Sequence, residues 1–138
     1  MKRLFFIFIT LILFISSCNE LENQIQGEWV VDKAYYNEKP LVWNLYTNGF
    51  DLKKDNTCFL PVSESSHRHT EKETGTWSII HKTGKTYIQI STTNELFNRT
   101  FKVVNLEKVR DTVSWGFLLK MTLTADSLKM DCTKAIYE

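Results

Sequence analysis

Proline and glycine are scarce in this chain, which has two and five of them among 138 residues. That scarcity excludes collagen-like repeats and low-complexity linkers. An excess of charge of either sign is also missing, since 17 Lys and Arg stand against 16 Asp and Glu. Because a nucleic-acid binder needs basic residues to neutralise phosphates, we expect no nucleic-acid partner. Hydrophobic residues make up 43% of the chain, which excludes a disordered protein, and the length allows one domain.

Sequence motifs of catalysis are missing as well. The chain has no nucleophile elbow, no Gly-rich phosphate loop and no Ser/His/Asp spacing typical of hydrolases. We therefore expect no catalytic residue, no cofactor and no enzymatic activity, and an enzyme ranks third among the functions considered below. Metal-ligand residue types cluster at His67 and His69, but Arg68 lies between them in the polar stretch 63–73. We interpret this stretch as a solvated loop and predict no metal site.

The N-terminus has the anatomy of a secretory signal. Lys2 and Arg3 are followed by Leu4 to Ile15, in which Thr10 is the one polar residue. As a helix, these twelve residues would span about 18 Å, which is short of the ~30 Å hydrocarbon core of a bilayer. A charged start, a short apolar core and small residues after it favour a cleaved signal peptide over a permanent membrane span.

The residues Ile15-Ser16-Ser17-Cys18 resemble the bacterial lipobox, which has an aliphatic residue, two small residues and then cysteine. The resemblance implies a signal peptide at 1–17, a diacylglyceryl group on the Cys18 thiol and an acyl group, such as palmitate, on the new N-terminus. The protein would then be a lipoprotein whose partner is the membrane. Because Asn19 rather than Asp follows the cysteine, the resemblance also implies the outer membrane of a gram-negative bacterium. An ordinary signal peptide that ends on a chance cysteine is the alternative.

A short tether, 18–26, separates the lipidated cysteine from the domain, which we place at 27–138. Leu21 and Ile25 lie four residues apart, and this spacing predicts one helical turn that packs under the fold. After Gly27 the hydrophobic period is two, and strand-like runs alternate with turn signals. Eight strands are predicted, at Glu28–Asn37, Gly49–Lys54, Thr57–Val62, Thr74–Lys82, Lys85–Thr92, Arg99–Lys108, Trp115–Thr124 and Ser127–Tyr137.

Alternation along these strands predicts an all-β fold that is buried on one face. Phe117, Leu119 and Met121 share one face of their strand, with polar residues among those opposite. Eight such strands joined by short hairpins predict an antiparallel up-and-down barrel. An open meander or a sandwich is the rival architecture, which periodicity alone does not exclude.

Two short motifs in this pattern resemble lipocalins. Gly27-Glu28-Trp29 opens the first strand as the Gly-x-Trp motif does in that family, and Gly75-Thr76-Trp77 repeats the theme in the fourth strand. The stretch 27–137 is similar to the compact lipocalin-like domains of bacterial lipoproteins. The resemblance implies that Gly27, Trp29, Gly75 and Trp77 are structural and that Trp29 closes the barrel floor. It also implies a closing arginine, for which Arg99 and Arg110 are the candidates.

The interior of an eight-stranded barrel is filled by side chains or holds one small ligand. Alternation predicts that bulky residues face inward at Trp29, Val31, Phe50, Leu52, Leu60, Ile88, Ile90, Phe117, Leu119, Met121, Leu128 and Met130. The residues 40–46 form an apolar connection where a polar one is usual, and in lipocalins this connection covers the mouth of the barrel. We therefore predict that Leu41, Val42, Trp43 and Tyr46 bind a small hydrophobic ligand. If the barrel is filled, the same patch would instead serve as the docking surface for an envelope protein.

Two cysteines, Cys58 and Cys132, remain after Cys18 is assigned to the anchor. Alternation places both inside the barrel, on strands that lie three steps apart around its wall. A disulfide needs Cα atoms within about 7 Å, so we predict two buried free thiols.

Overall fold

The computed structural model describes residues 20–41, 45–63, 73–114 and 116–137. A short helix at residues 20–25 precedes eleven strands in this part of the chain. The strands are β1 (Gly27–Tyr36), β2 (Lys39–Pro40), β3 (Leu45–Thr47), β4 (Gly49–Leu52), β5 (Thr57–Phe59), β6 (Val62–Ser63), β7 (Thr74–Lys82), β8 (Lys85–Ser91), β9 (Thr100–Arg110), β10 (Phe117–Ala125) and β11 (Leu128–Ile136).

Eight of these strands close into one antiparallel barrel. Their order around the wall is β1-β4-β5-β7-β8-β9-β10-β11, and β11 returns to pair with β1. In this closing pair Val31 lies opposite Cys132, and Tyr36 lies opposite Leu128. The predicted all-β, eight-stranded up-and-down barrel is confirmed, and so is the short helical turn before its first strand. Closure matters because a free sheet edge is a template for pairing with another chain.

The tight turns fall at the turn signals of the sequence. Asn56 joins β4 to β5 with a φ of 64°, and Asp126 joins β10 to β11 with a φ of 47°. The β7–β8 turn uses Thr83 and Gly84, both at positive φ. Asn, Asp and Gly tolerate this left-handed conformation better than other residues, which explains why they mark three of the hairpins.

The described parts of the apolar connection after β1 include two short strands. β2 folds back on the end of β1, with Lys39 opposite Tyr36. β3 pairs with β6, with Leu45 opposite Ser63, so this small ribbon continues the β4–β5 hairpin beyond the barrel wall. The connection at residues 40–46 therefore includes the last residue of one short strand and the first two of another.

The core lies inside the barrel and holds the predicted side chains. Of the bulky residues predicted to face inward, all are buried except Phe117, which is half-buried and has the Lys108 ammonium 4.2 Å above its ring. Ile25 of the helix, Phe97 of the β8–β9 connection and Phe101 of β9 complete this core, each at most 1% exposed. Both Cys58 and Cys132 are buried and free, as predicted.

Candidate functional site

The connections of the barrel divide between its two ends. The short helix, the β4–β5 and β7–β8 hairpins and the β9–β10 turn lie at one end, which we call the closed end. The β8–β9 and β10–β11 connections and the β3–β6 ribbon lie at the other end, which we call the mouth.

The helix seals the closed end through Trp29 and Lys134. The indole Nε1 of Trp29 donates to the carbonyl oxygen of Ile25 at 2.7 Å, and the ring is 1% exposed. Lys134 Nζ lies 4.7 Å from the centre of that ring and donates to the carbonyl oxygens of Gln24 and Gln26, at 2.5 Å each. Burial lowers the pKa of Lys134 to about 8. The cation over the floor tryptophan is thus a lysine of the last strand, where the lipocalin resemblance pointed to Arg99 or Arg110.

The second Gly-x-Trp motif lies in the barrel wall. A Cβ on Gly75 would approach the carbonyl oxygen of Ser91 to 2.6 Å, so a side chain at this position would push β7 away from its neighbours. Trp77 is 3% exposed, and its Nε1 donates to the carbonyl oxygen of Lys53 at 2.8 Å. Both tryptophans therefore hold backbone at the closed end. Gly27 begins β1 with a φ of 112°, where the chain leaves the helix.

Two cysteines lie among the side chains that occupy the barrel between its two ends. Burial raises the pKa of the Cys58 thiol to about 11 and raises the pKa of Cys132 as well, helped by the charge of Asp32. Neither thiol is a reactive group at neutral pH, because nucleophilic cysteines are thiolates in exposed, electropositive surroundings. The buried interior is lined by Trp29, Phe50, Leu52, Ile88, Ile90, Phe101, Met121, Leu123, Leu128 and Met130.

A β-bulge changes which residues of β1 reach the mouth. The pairing of β1 with β11 shifts register between Val31 and Lys33, so Asp32 is the extra residue. Strict alternation after Val31 would turn Lys33 and Tyr35 inward, whereas the bulge turns Ala34 and Tyr36 inward instead. Ala34 is buried, and Tyr36, opposite the buried Leu128, is 38% exposed at the rim. Sequence reasoning missed Tyr36 because nothing in the local sequence announces the bulge.

Leu41 is the described member of the predicted ligand-binding set whose side chain can be placed. Its backbone N–H donates to the carbonyl oxygen of Ala34 at 2.7 Å, and its side chain is partly buried against the core. Tyr46 lies within β3, where only the backbone is described. Val42 and Trp43 lie outside the described residues, as does Cys18 with the rest of the predicted anchor. Leu41 and Tyr36 therefore define the described rim, where β2 pairs with the end of β1.

The β8–β9 connection covers part of the mouth. Phe97 is 1% exposed, and its N–H donates to the carbonyl oxygen of Asn94 at 3.0 Å. Asn94 is the one buried polar residue of the described core, and its Oδ1 accepts from the N–H of Leu96 at 3.1 Å. Its side chain thus stabilises the turn that places Phe97. A loop phenylalanine belongs to no periodic pattern, so alternation did not reveal this contribution.

Three grooves lie on the outside of the barrel. One, of about 690 Å³, runs beside the mouth between Asn37 and Lys129. A second, of about 540 Å³, crosses β1, β4 and β5 over Gly49, between the half-exposed Val30 and Phe59. A third, of about 710 Å³, lies at the closed end between the helix and the end of β11. Concave surface is therefore available outside the wall, whereas the interior of the described barrel holds packed side chains.

Comparison with protein-family models, with curated proteins and with solved structures gives no match to this chain. Among residues 20–41, 45–63, 73–114 and 116–137, no three His, Cys, Asp or Glu side chains are grouped so that they would hold a metal ion. In the same residues no helix is long and apolar enough to cross a membrane.

Proposed function

We propose that this protein is a lipid-anchored lipoprotein of the bacterial envelope, with a lipocalin-like barrel that recognises a small hydrophobic group at its mouth. The anchor is Cys18, in the outer membrane of a gram-negative bacterium. Recognition at the mouth is a binding function without chemistry, so we propose no enzymatic activity. The ligand is held at the rim rather than carried deep inside.

The observation that supports this proposal is the apolar rim. Because the barrel is filled, the proposed site is a shallow one at this rim and not a deep cavity, and use of the same patch as a docking surface for an envelope protein is the competing interpretation. Trp29, Phe50 and Phe101 occupy the interior, so a deep site of lipocalin type has little room. At the rim, Tyr36 is 38% exposed beside the partly buried Leu41, and the chain continues into Val42 and Trp43. A shallow apolar site at this place would bury about 200 Å² of ligand, which gains roughly 5 kcal/mol before the cost of association.

Titration of the delipidated protein with fatty acids, retinoids and sterols tests the ligand, with intrinsic tryptophan fluorescence and calorimetry as readouts. We expect dissociation constants no lower than about 0.2 mM, because a gain of roughly 5 kcal/mol sets the upper limit of affinity for so small a contact area. Tyr36→Ala should weaken binding at least about fivefold, since about 1 kcal/mol of apolar contact is removed. Tyr35→Ala is the matched control, because Tyr35 is the neighbour of Tyr36 in β1 but lines the outer groove. If no probe binds, or if both variants weaken binding equally, the rim is not the site.

The anchor is tested independently of the ligand. Cells that express the wild type should incorporate a labelled fatty acid into the protein, and Cys18→Ala should abolish the label and leave an unprocessed or soluble form. Label that persists in Cys18→Ala would disprove lipidation at this residue.

The second candidate function is a protein-interaction module, favoured by the groove over Gly49. Val30 is 47% and Phe59 is 48% exposed on its two sides, and Lys53 Nζ lies 4.2 Å above the Phe59 ring. Half-exposed apolar side chains beside charges are typical of the rim of a protein interface. A photo-crosslinking residue at position 59 should form one discrete adduct in cells, while the same residue at Val104, 54% exposed on β9, should form none. Equal adducts at both positions would argue against a specific partner.

A further inference from the structure

The two most exposed large hydrophobic side chains of the described residues lie at the closed end. Val113 is 86% exposed in the turn between β9 and β10, and Tyr137 is 95% exposed after β11. The other exposed hydrophobic residues of the barrel are between 37% and 54% exposed. The two side chains lie at one end of the wall, because Phe117 at the start of β10 pairs with Ile136 at the end of β11.

The same end carries a basic hairpin tip. Lys82 and Lys85 flank the turn between β7 and β8, and both are exposed. Two acidic groups at this end, Asp55 and Asp111, are engaged within their own turns, and the helix and the start of β1 add the carboxylates of Glu20, Glu22 and Glu28. Asp111 accepts from the N–H groups of Val113 and Ser114, and Asp55 accepts from the N–H and the hydroxyl of Thr57. Apolar side chains next to lysines are the combination found where proteins touch lipid headgroups.

The chain also enters the fold at this end. The helix begins at residue 20, and its last turn is fixed to the barrel by Trp29 and Lys134. Between Cys18 and residue 20 there is room for at most about 7 Å of chain. A lipid on Cys18 would therefore hold the closed end, and not the mouth, next to the bilayer.

We propose that the closed end of the barrel is a membrane-facing surface, with Val113 and Tyr137 in the headgroup region and Lys82 and Lys85 against lipid phosphates. The mouth then opens away from the bilayer, toward the aqueous phase. The inference rests on the proposed anchor at Cys18, and it adds the orientation of the domain and the lipid chemistry that the domain contacts. Contact at two apolar side chains and two lysines restricts tilting, which a lipid on Cys18 alone would allow.

Lipid-borne quenchers test this orientation. The full chain is purified from membranes and reconstituted in vesicles of phosphatidylethanolamine with phosphatidylglycerol, in which a minority of acyl chains carry a nitroxide. A fluorescent label is placed by Val113→Cys at the closed end or, as the matched control, by Ser127→Cys at the mouth. Cys58 and Cys132 are buried, so they do not take up the label in the folded protein. The unsubstituted chain gives the background.

We expect the label at position 113 to be quenched at least about threefold more strongly than the label at position 127, since interfacial side chains lie within ~5–10 Å of the acyl boundary. Lys82→Glu with Lys85→Glu should lower quenching at position 113 at least about twofold. The same reversal at Lys39 and Lys129 of the mouth should leave it unchanged. Equal quenching at both positions, stronger quenching at 127, or none at 113 would overturn the orientation.

Fatty-acid labelling of the same samples separates this inference from the anchor. If the protein carries the fatty-acid label but the fluorophore at position 113 is unquenched, the orientation is wrong and the anchor stands. If the protein lacks the fatty-acid label but the fluorophore at position 113 is quenched selectively, the closed end contacts lipid and the anchor at Cys18 is wrong.

Discussion

Replacement of Trp29 by alanine is the sharpest test of how the closed end is built. The indole is 1% exposed, and a buried tryptophan removes about 150–250 Å² from water. At about 25 cal/mol per Å², and with some area retained by alanine, the loss is about 3–5 kcal/mol. The donor to Ile25 and the cation above the ring disappear with the side chain. We therefore expect a loss at the upper end of that range.

Trp29→Phe separates the ring from its hydrogen bond. Phenylalanine keeps most of the buried area but leaves the carbonyl oxygen of Ile25 without its donor at 2.7 Å. We expect this variant to lose about 1–2 kcal/mol.

Denaturant unfolding of a soluble chain that starts at residue 20, followed by circular dichroism, measures both variants. A loss below about 1 kcal/mol for Trp29→Ala would place the side chain outside the core and refute the reasoning. Equal losses for both variants would show that the hydrogen bond, and not the buried ring, stabilises the floor.

Three further predictions concern the wall, the helix and the thiols. Gly75→Ala should lower the free energy of unfolding by about 1–3 kcal/mol, because the added Cβ would meet the Ser91 carbonyl oxygen at 2.6 Å. Gly49→Ala has open space around its Cβ and should be within about 1 kcal/mol of the wild type. Thermal unfolding compares the two variants, and equal effects would contradict the close approach at Gly75. Lys134→Met should lose about 1–2 kcal/mol at pH 7, because two carbonyl oxygens lose their donor. Since the folded-state pKa of Lys134 is lowered to about 8, the wild type, but not this variant, should gain stability from this group as pH rises from 8 toward 10.5, and identical pH profiles would exclude the buried ammonium. Above pH 9 the thiols ionise in the unfolded chain, while Cys58, with its pKa raised to about 11, stays protonated in the folded protein. The free energy of unfolding should therefore fall by on the order of 1 kcal/mol per thiol by pH 10. The double variant Cys58→Ala with Cys132→Ala should show a smaller fall over the same pH range.

Most of the wall was predictable because it follows a simple period. Leu119, Met121 and Leu123 alternate with residues that are less buried, and they lie inside the barrel as that alternation requires. Turn residues with a tolerance for positive φ, such as Asn56 and Asp126, marked the hairpins. Both signals are local, so one sequence is enough to detect them.

The features that escaped prediction depend on distant parts of the chain. The bulge at Asp32 exists in the pairing of β1 with β11, some hundred residues away, and it shifts the alternation of β1 so that Tyr36, and not Tyr35, shares a face with the buried Ala34. Alternation along β11 predicts no specific role for Lys134. Its role as a donor to the helix carbonyl oxygens depends on where the helix packs, which the sequence of β11 does not contain. The predicted site at Leu41 was detectable only as an excess of apolar residues, which gives no information on the depth of the mouth.

The closing pair of β1 and β11 has a consequence for the order of folding. β1 pairs on one side with β4, which is near in sequence, but its other side must wait for β11, where Val30 meets Thr133 across about a hundred residues. Bringing such distant segments together costs loop entropy and slows folding relative to hairpin formation. A chain released before β11 is available has hairpins but two open edges, at β1 and β10. The barrel therefore becomes a closed, edge-free structure only with its final strand. Until β11 pairs with β1, the open edges of β1 and β10 can pair with strands of another chain, which is a route to aggregation.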